Sequence, residues 1–216
     1  SKKAKLCVGV PFLLDVADHI TKLLPEFNFL LPLAPTTNLS ELQFFSSFQN
    51  PIAAKYESRI VKVLPASFSQ PWRRLITQAG AEIHLIETHP AHGALSQCDL
   101  ALTTVGANTA ELGALGVPMI VIVPTQHLEV MQAWDGFIGL LARLPGLKWF
   151  LSVLVSTWRL RNHGFLAWPN ITAGRMVVPE KVGEITPEEI AKETASWIRS
   201  PNRLKGQRED LRSLRG

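Results

Sequence analysis

The chain has 216 residues, 46% apolar and 19% charged, which is enough to bury the core of one domain with appendages and excludes a disordered polymer. Its net charge of +4 lies wholly in the tail, where six basic residues from Arg199 to Arg215 face only Glu209 and Asp210. Nothing interleaves aromatic and basic residues as a single-strand binder would, so no nucleic-acid partner is expected. Cys7 and Cys98 cannot form a disulfide framework and read as two reduced, buried thiols. The six histidines (19, 84, 89, 92, 127 and 163) lack metal-ligand spacing, so no metal is expected. No signal peptide is recognised at the start. The longest apolar run, Trp149 to Val155, is far shorter than the ~18–20 residues of a spanning helix. The expectation is a cytoplasmic protein, either free or resting peripherally on the inner face of a membrane.

In chain order, Phe12, Leu13, Val16, Ala17, Ile20, Leu23 and Leu24 follow helical spacing after a basic opening loop, and Phe27 to Ala34 reads as a buried strand. Leu39 to Phe48 is a helix capped by Asn38 or Ser40, Ile60 to Leu64 a strand, Ala81 to Ile86 another, and His92 to Gln97 a short helix. The clearest unit follows: strand Asp99 to Thr104, helix Ala107 to Leu115 stopped by Gly116, and strand Met119 to Val123. A helical insertion is expected over about 128–165, containing Trp149, Phe150 and Trp158, and the stretch between Gly136 and Pro179 is free of Asp and Glu. Its 147–160 segment would either rest in an anionic membrane interface or pack against a partner. Thr186, Pro187 and Glu189 mark a helix start, and Pro201 opens a further helix to Leu214.

Apolar strands alternating with helices predict an α/β fold with a Rossmann-like parallel sheet flanked by helices and a helical carboxyl-terminal extension. The division expected is 1–180 for the sheet domain and 181–216 for the extension.

The chemistry concentrates at Thr103 to Glu111, where a strand hands over to a helix. Ligands of open α/β sheets sit at the carboxyl ends of the strands, and free N–H groups at a helix start attract phosphate. Gly106 admits a close anion, Thr104, Asn108 and Thr109 offer polar side chains, and Glu111 can accept from two vicinal ribose hydroxyls. The same residues also fit a plain helix cap followed by a solvated carboxylate.

Two runs of sequence carry a resemblance. Cys98 to Leu102, Thr109 to Leu112 and Gly116 to Val121 resemble the "AD-A-L-SGTA-LE-AL-P-VV" region of GT-B glycosyltransferases. Trp168-Pro-Asn-Ile-Thr-Ala-Gly-Arg-Met-Val-Val-Pro-Glu180 resembles the "LPNLLAGR-LVPE" motif of the lipid-A-disaccharide synthase family. The resemblance extends over essentially the whole chain and implies one half of a GT-B fold, the carboxyl-terminal, donor-binding half, with the amino-terminal acceptor domain outside this sequence.

From it follow a UDP-sugar as donor substrate, a lipid-linked acceptor, no cofactor, and Glu111 as holder of the donor ribose. The loop Thr104 to Thr109 faces the diphosphate, and Asn170 and Arg175 lie at the cleft, the arginine able to pair with phosphate. Gln126 is a candidate lining residue, and His89 and His92 lie where uracil packs in this family. The opening Ser1-Lys2-Lys3 resembles the stretch after the family's strand-end loop, with Lys2 or Lys3 replacing its arginine and supplying charge without a bidentate fork. The family's small "SGT" triplet is likewise replaced, by Val105 to Thr109.

The resemblance implies a metal-independent inverting transfer whose general base belongs to the absent domain, and an intertwined homodimer. The alternatives are a UDP-sugar epimerase of the same architecture and a non-catalytic, membrane-associated module.

Overall fold

The computed structural model describes residues 2–126 and 164–214, so the expected helical insertion and its 147–160 segment lie almost entirely outside the described residues. Two compact units emerge, Lys2–Leu95 with Thr186–Ser196, and Ser96–Ile185 with Trp197–Gly216.

The first unit opens on helix α1 (Lys2–Leu23), which starts where a basic loop was expected. Buried Ala4, Val8, Phe12, Val16 and Ile20 recur at intervals of four, so one apolar stripe runs through the whole helix. Pro11 lies inside it, and a proline normally reads as a helix boundary, which is why spacing alone places the start too late. Strand β1 (Phe29–Pro32) follows, then helix α2 (Leu39–Ser46). Asn38 caps α2 reciprocally: its Oδ1 accepts from Glu41 N at 2.9 Å, and its own N–H donates to Glu41 Oε2 at 3.2 Å.

Strands β2 (Ile60–Leu64), β3 (Arg73–Thr77) and β4 (Glu82–Ile86) complete a four-stranded sheet in the order β1-β4-β3-β2. Only β1 and β4 pair in parallel; β3 runs antiparallel to both its neighbours, so this sheet is mixed rather than purely parallel as expected. Leu14 and Ala17 of α1 pack with Leu42, Leu75, Ile83 and Leu85 to form the core on one face. Asp18, buried on α1, accepts hydrogen bonds from Thr77 Oγ1 and from Ala79 N, fixing the turn between β3 and β4. Helix α3 (His92–Leu95) closes this part of the chain.

The second unit is the parallel α/β arrangement expected from the sequence. Strand β5 (Ala101–Thr103), helix α4 (Ala107–Leu115) and strand β6 (Met119–Pro124) form a β-α-β crossover, and β7 (Glu180–Gly183) adds to the far side of β6, all parallel. Gly116 ends α4 at φ 67°, in the left-handed conformation that favours glycine. Met119, Ile120, Val121 and Ile122 are all buried, as a strand covered on both faces requires. Helix α5 (Trp168–Ala173) packs on α4, where a Cβ on Gly113 would stand 3.3 Å from Pro169 Cγ.

Helix α6 (Pro187–Ile198) begins at Thr186, whose Oγ1 accepts from Glu189 N at 3.2 Å while its N–H donates to Glu189 Oε2 at 2.8 Å. Helix α7 (Pro201–Ser213) then packs on α4, and its buried Gln207 accepts from Met119 N at 2.7 Å and donates to Val177 O at 3.2 Å. Among the described residues no helix is long and apolar enough to cross a membrane.

Candidate functional site

Strand β5 ends at Thr103, and three residues separate it from the start of α4 at Ala107. Gly106, its N-cap, holds φ 142°, a region that side-chain-bearing residues rarely adopt, and no side chain caps the helix. The first-turn N–H groups of Ala107 and Asn108 therefore lack the covering that Asn38 supplies on α2. Thr104 and Asn108 are exposed beside them, and no acidic residue occupies the first turn to repel an anion. Glu111 is half-buried one turn further on, three residues from Asn108 and four from Ala107, so it shares their face of the helix.

Thr109 has a different place. Its side chain is fully buried, Oγ1 donates to Gly106 O at 2.8 Å, and the same oxygen accepts from Trp168 N at 3.2 Å. It fixes the glycine turn and ties it to the start of α5.

The second motif is a polar clamp. Asn170 is fully buried; its Oδ1 accepts from Val177 N at 2.7 Å and Val178 N at 2.8 Å, while Nδ2 donates to Val178 O at 2.8 Å and Glu180 Oε1 at 2.7 Å. The Glu180 carboxylate also accepts from Leu166 N at 2.9 Å and Ala167 N at 2.8 Å. The amide's donors and acceptor are thereby engaged in holding α5 against the entry to β7. Arg175, exposed after α5, pairs with Asp210 of α7 at 2.7 Å, and that hydrogen bond, more than the charge alone, raises the guanidinium's pKa above its ordinary value. Gln126, beyond β6, donates to Ile185 O at 2.7 Å and accepts from Ile185 N at 3.4 Å, clasping the ends of two neighbouring strands.

Residues 104–111, 126, 170 and 175 thus all fall in the second unit. Lys2, at the start of α1, belongs to the first unit, as do the exposed His89 and His92. Glu180 and Gln207 were not singled out from the sequence, although Glu180 closes the quoted motif. Cys98 is half-buried, and burial, followed by the charge of Asp99, pushes its thiol pKa up. Burial does the same to Cys7. Among the described residues no group of three or more His, Cys, Asp or Glu is placed to hold a metal ion.

A backbone turn open to an anion at the carboxyl end of a parallel strand, backed by a buried Asn–Glu clamp, is the geometry to set beside known proteins. The chain is 27% identical over its whole length to a lipid-A-disaccharide synthase of Syntrophus aciditrophicus, covering 42% of that protein. The chain resembles lipid-A-disaccharide synthases. A second one, from Thiobacillus denitrificans, is also 27% identical, over 78% of this chain and 41% of its own length. The chain thus spans about two fifths of the length of these synthases. No family model matches it.

Proposed function

We propose that this chain is the nucleotide-sugar-binding part of a glycosyltransferase, one that moves an N-acetylglucosamine-type sugar from a UDP-sugar to a lipid-linked acceptor. The observation that carries the reading is the uncapped start of α4 behind Gly106, at the carboxyl end of β5. Similarity to two lipid-A-disaccharide synthases supports the reaction class.

In this reading the N–H groups of Ala107 and Asn108 receive the diphosphate, Thr104 and the Asn108 side chain add hydrogen bonds, and Glu111 accepts from the ribose hydroxyls. Donors fixed before the reaction stabilise the charge that develops on departing UDP without a metal. Thr109, Asn170 and Gln126 serve by holding the turn and the strand ends in place, and Arg175 contributes positive charge. The general base of an inverting transfer is assigned to the amino-terminal domain of the full enzyme, so no residue here takes that role.

Calorimetric titration of the chain with UDP and with UDP-N-acetylglucosamine tests this. Saturable binding that weakens by about tenfold or more in Glu111→Ala is expected, the size of a lost hydrogen bond to a charged group. Binding that the substitution leaves unchanged would refute the ribose assignment. Release of UDP from the donor without any acceptor would instead favour an epimerase.

A further inference from the structure

In the first unit a crevice of about 470 Å³ opens at the carboxyl ends of β1 and β4, within the roughly 300–1,000 Å³ range of small-molecule sites. Parallel pairing continues to its edge, since Leu33 N donates to Ile86 O at 2.9 Å, and Thr37 N closes a turn on Ala34 O at 2.8 Å beneath it. Arg73 enters from the start of β3, which runs antiparallel to β4 and so begins where β4 ends. Glu87 follows β4 directly. Arg73 Nε and Glu87 Oε2 stand 3.4 Å apart, and both residues line the crevice.

The charges decide which ligand. Start of helix α2 borders the crevice, but its cap is already filled: Asn38 Oδ1 accepts from Glu41 N and, at 2.7 Å, from Ser40 Oγ, and Glu41 covers the Asn38 N–H. Among the lining residues the charges are the Glu87 carboxylate and the Arg73 guanidinium, one of each sign and already paired, which leaves no net positive charge to hold phosphate. A carboxylate that accepts from two vicinal hydroxyls, a guanidinium that donates, and the Gln43 amide and Thr37 hydroxyl beside Leu33 together suit a neutral ring with polar edges and an apolar face.

We infer that this crevice binds a neutral pyranose through Glu87 and Arg73. Its use in sugar transfer rests on the glycosyltransferase reading above, whereas the binding itself does not.

Ligand-observed NMR on the full chain, with N-acetylglucosamine, inorganic phosphate and UDP as separate probes, tests it. The expected result is saturable N-acetylglucosamine binding that falls by about tenfold or more in Glu87→Gln and in Arg73→Gln, while UDP binding is unchanged and phosphate does not compete. Both side chains are close to half exposed, so the variants should keep the wild-type circular dichroism. No saturation in the wild type, binding in both variants as tight as in the wild type, or competition by phosphate would overturn the inference. Sugar binding without UDP binding would instead fell only the nucleotide reading.

Discussion

The segments 104–111 and 166–180 carry comparable motif resemblance, yet their polar side chains are placed differently. In the first, Thr104 and Asn108 are exposed, the helix start is uncapped and Gly106 keeps the backbone open. In the second, the polar residue most suggestive of ligand contact, Asn170, is wholly buried and spends its amide on Val177, Val178 and Glu180. A polar residue inside a recognisable motif can therefore be there to hold the backbone, and only its hydrogen-bond partners tell which role it has.

That contrast can be broken by substitution. Asn170→Ala should cost the most, about 3 kcal/mol in denaturant unfolding, because it orphans buried N–H groups and strips one donor from Glu180. A cost under about 1 kcal/mol would mean that the clamp is dispensable.

Gly106→Ala should cost about 1–2 kcal/mol through its positive φ alone, since nothing lies within 4 Å of the added Cβ. It should also weaken UDP binding, which Asn170→Ala in its folded fraction should not. Equal loss of UDP affinity in both variants would erase the distinction between the two segments.

Arg175→Ala should leave the thermal midpoint unchanged, because the Arg175–Asp210 pair is solvent-exposed on both sides. A phosphate role for Arg175 would then show only as weaker UDP binding at unchanged stability. The same measurement at raised ionic strength should diminish the effect.

Much of the second unit was readable in the sequence because its signals agree. The Met119–Val123 run, the Gly116 stop and the Ala107–Leu115 helix point to one crossover, which is what the chain forms. The first unit was less legible where signals conflict. Strand β3 begins with Arg73 and Arg74, which hide its alternation, and Pro11 masks the first half of α1. With β3 missed, the antiparallel part of the first sheet could not be foreseen.

At the candidate site, the strand-to-helix turn was legible and the hydrogen-bond partners were not. Thr109, Asn170, Gln126 and Arg175 meet partners 59, 10, 59 and 35 residues away, separations that no local pattern encodes. The crevice at Arg73 and Glu87 was invisible for the same reason, being assembled from the ends of strands that pair only in the fold.

The most direct test of the central claim is to follow backbone amide shifts while UDP is added to isotope-labelled chain. The account predicts the largest shifts at Gly106, Ala107 and Asn108, with the amides of Val177 and Val178 little moved. Shifts centred on the Asn170 clamp, with the start of α4 silent, would contradict it.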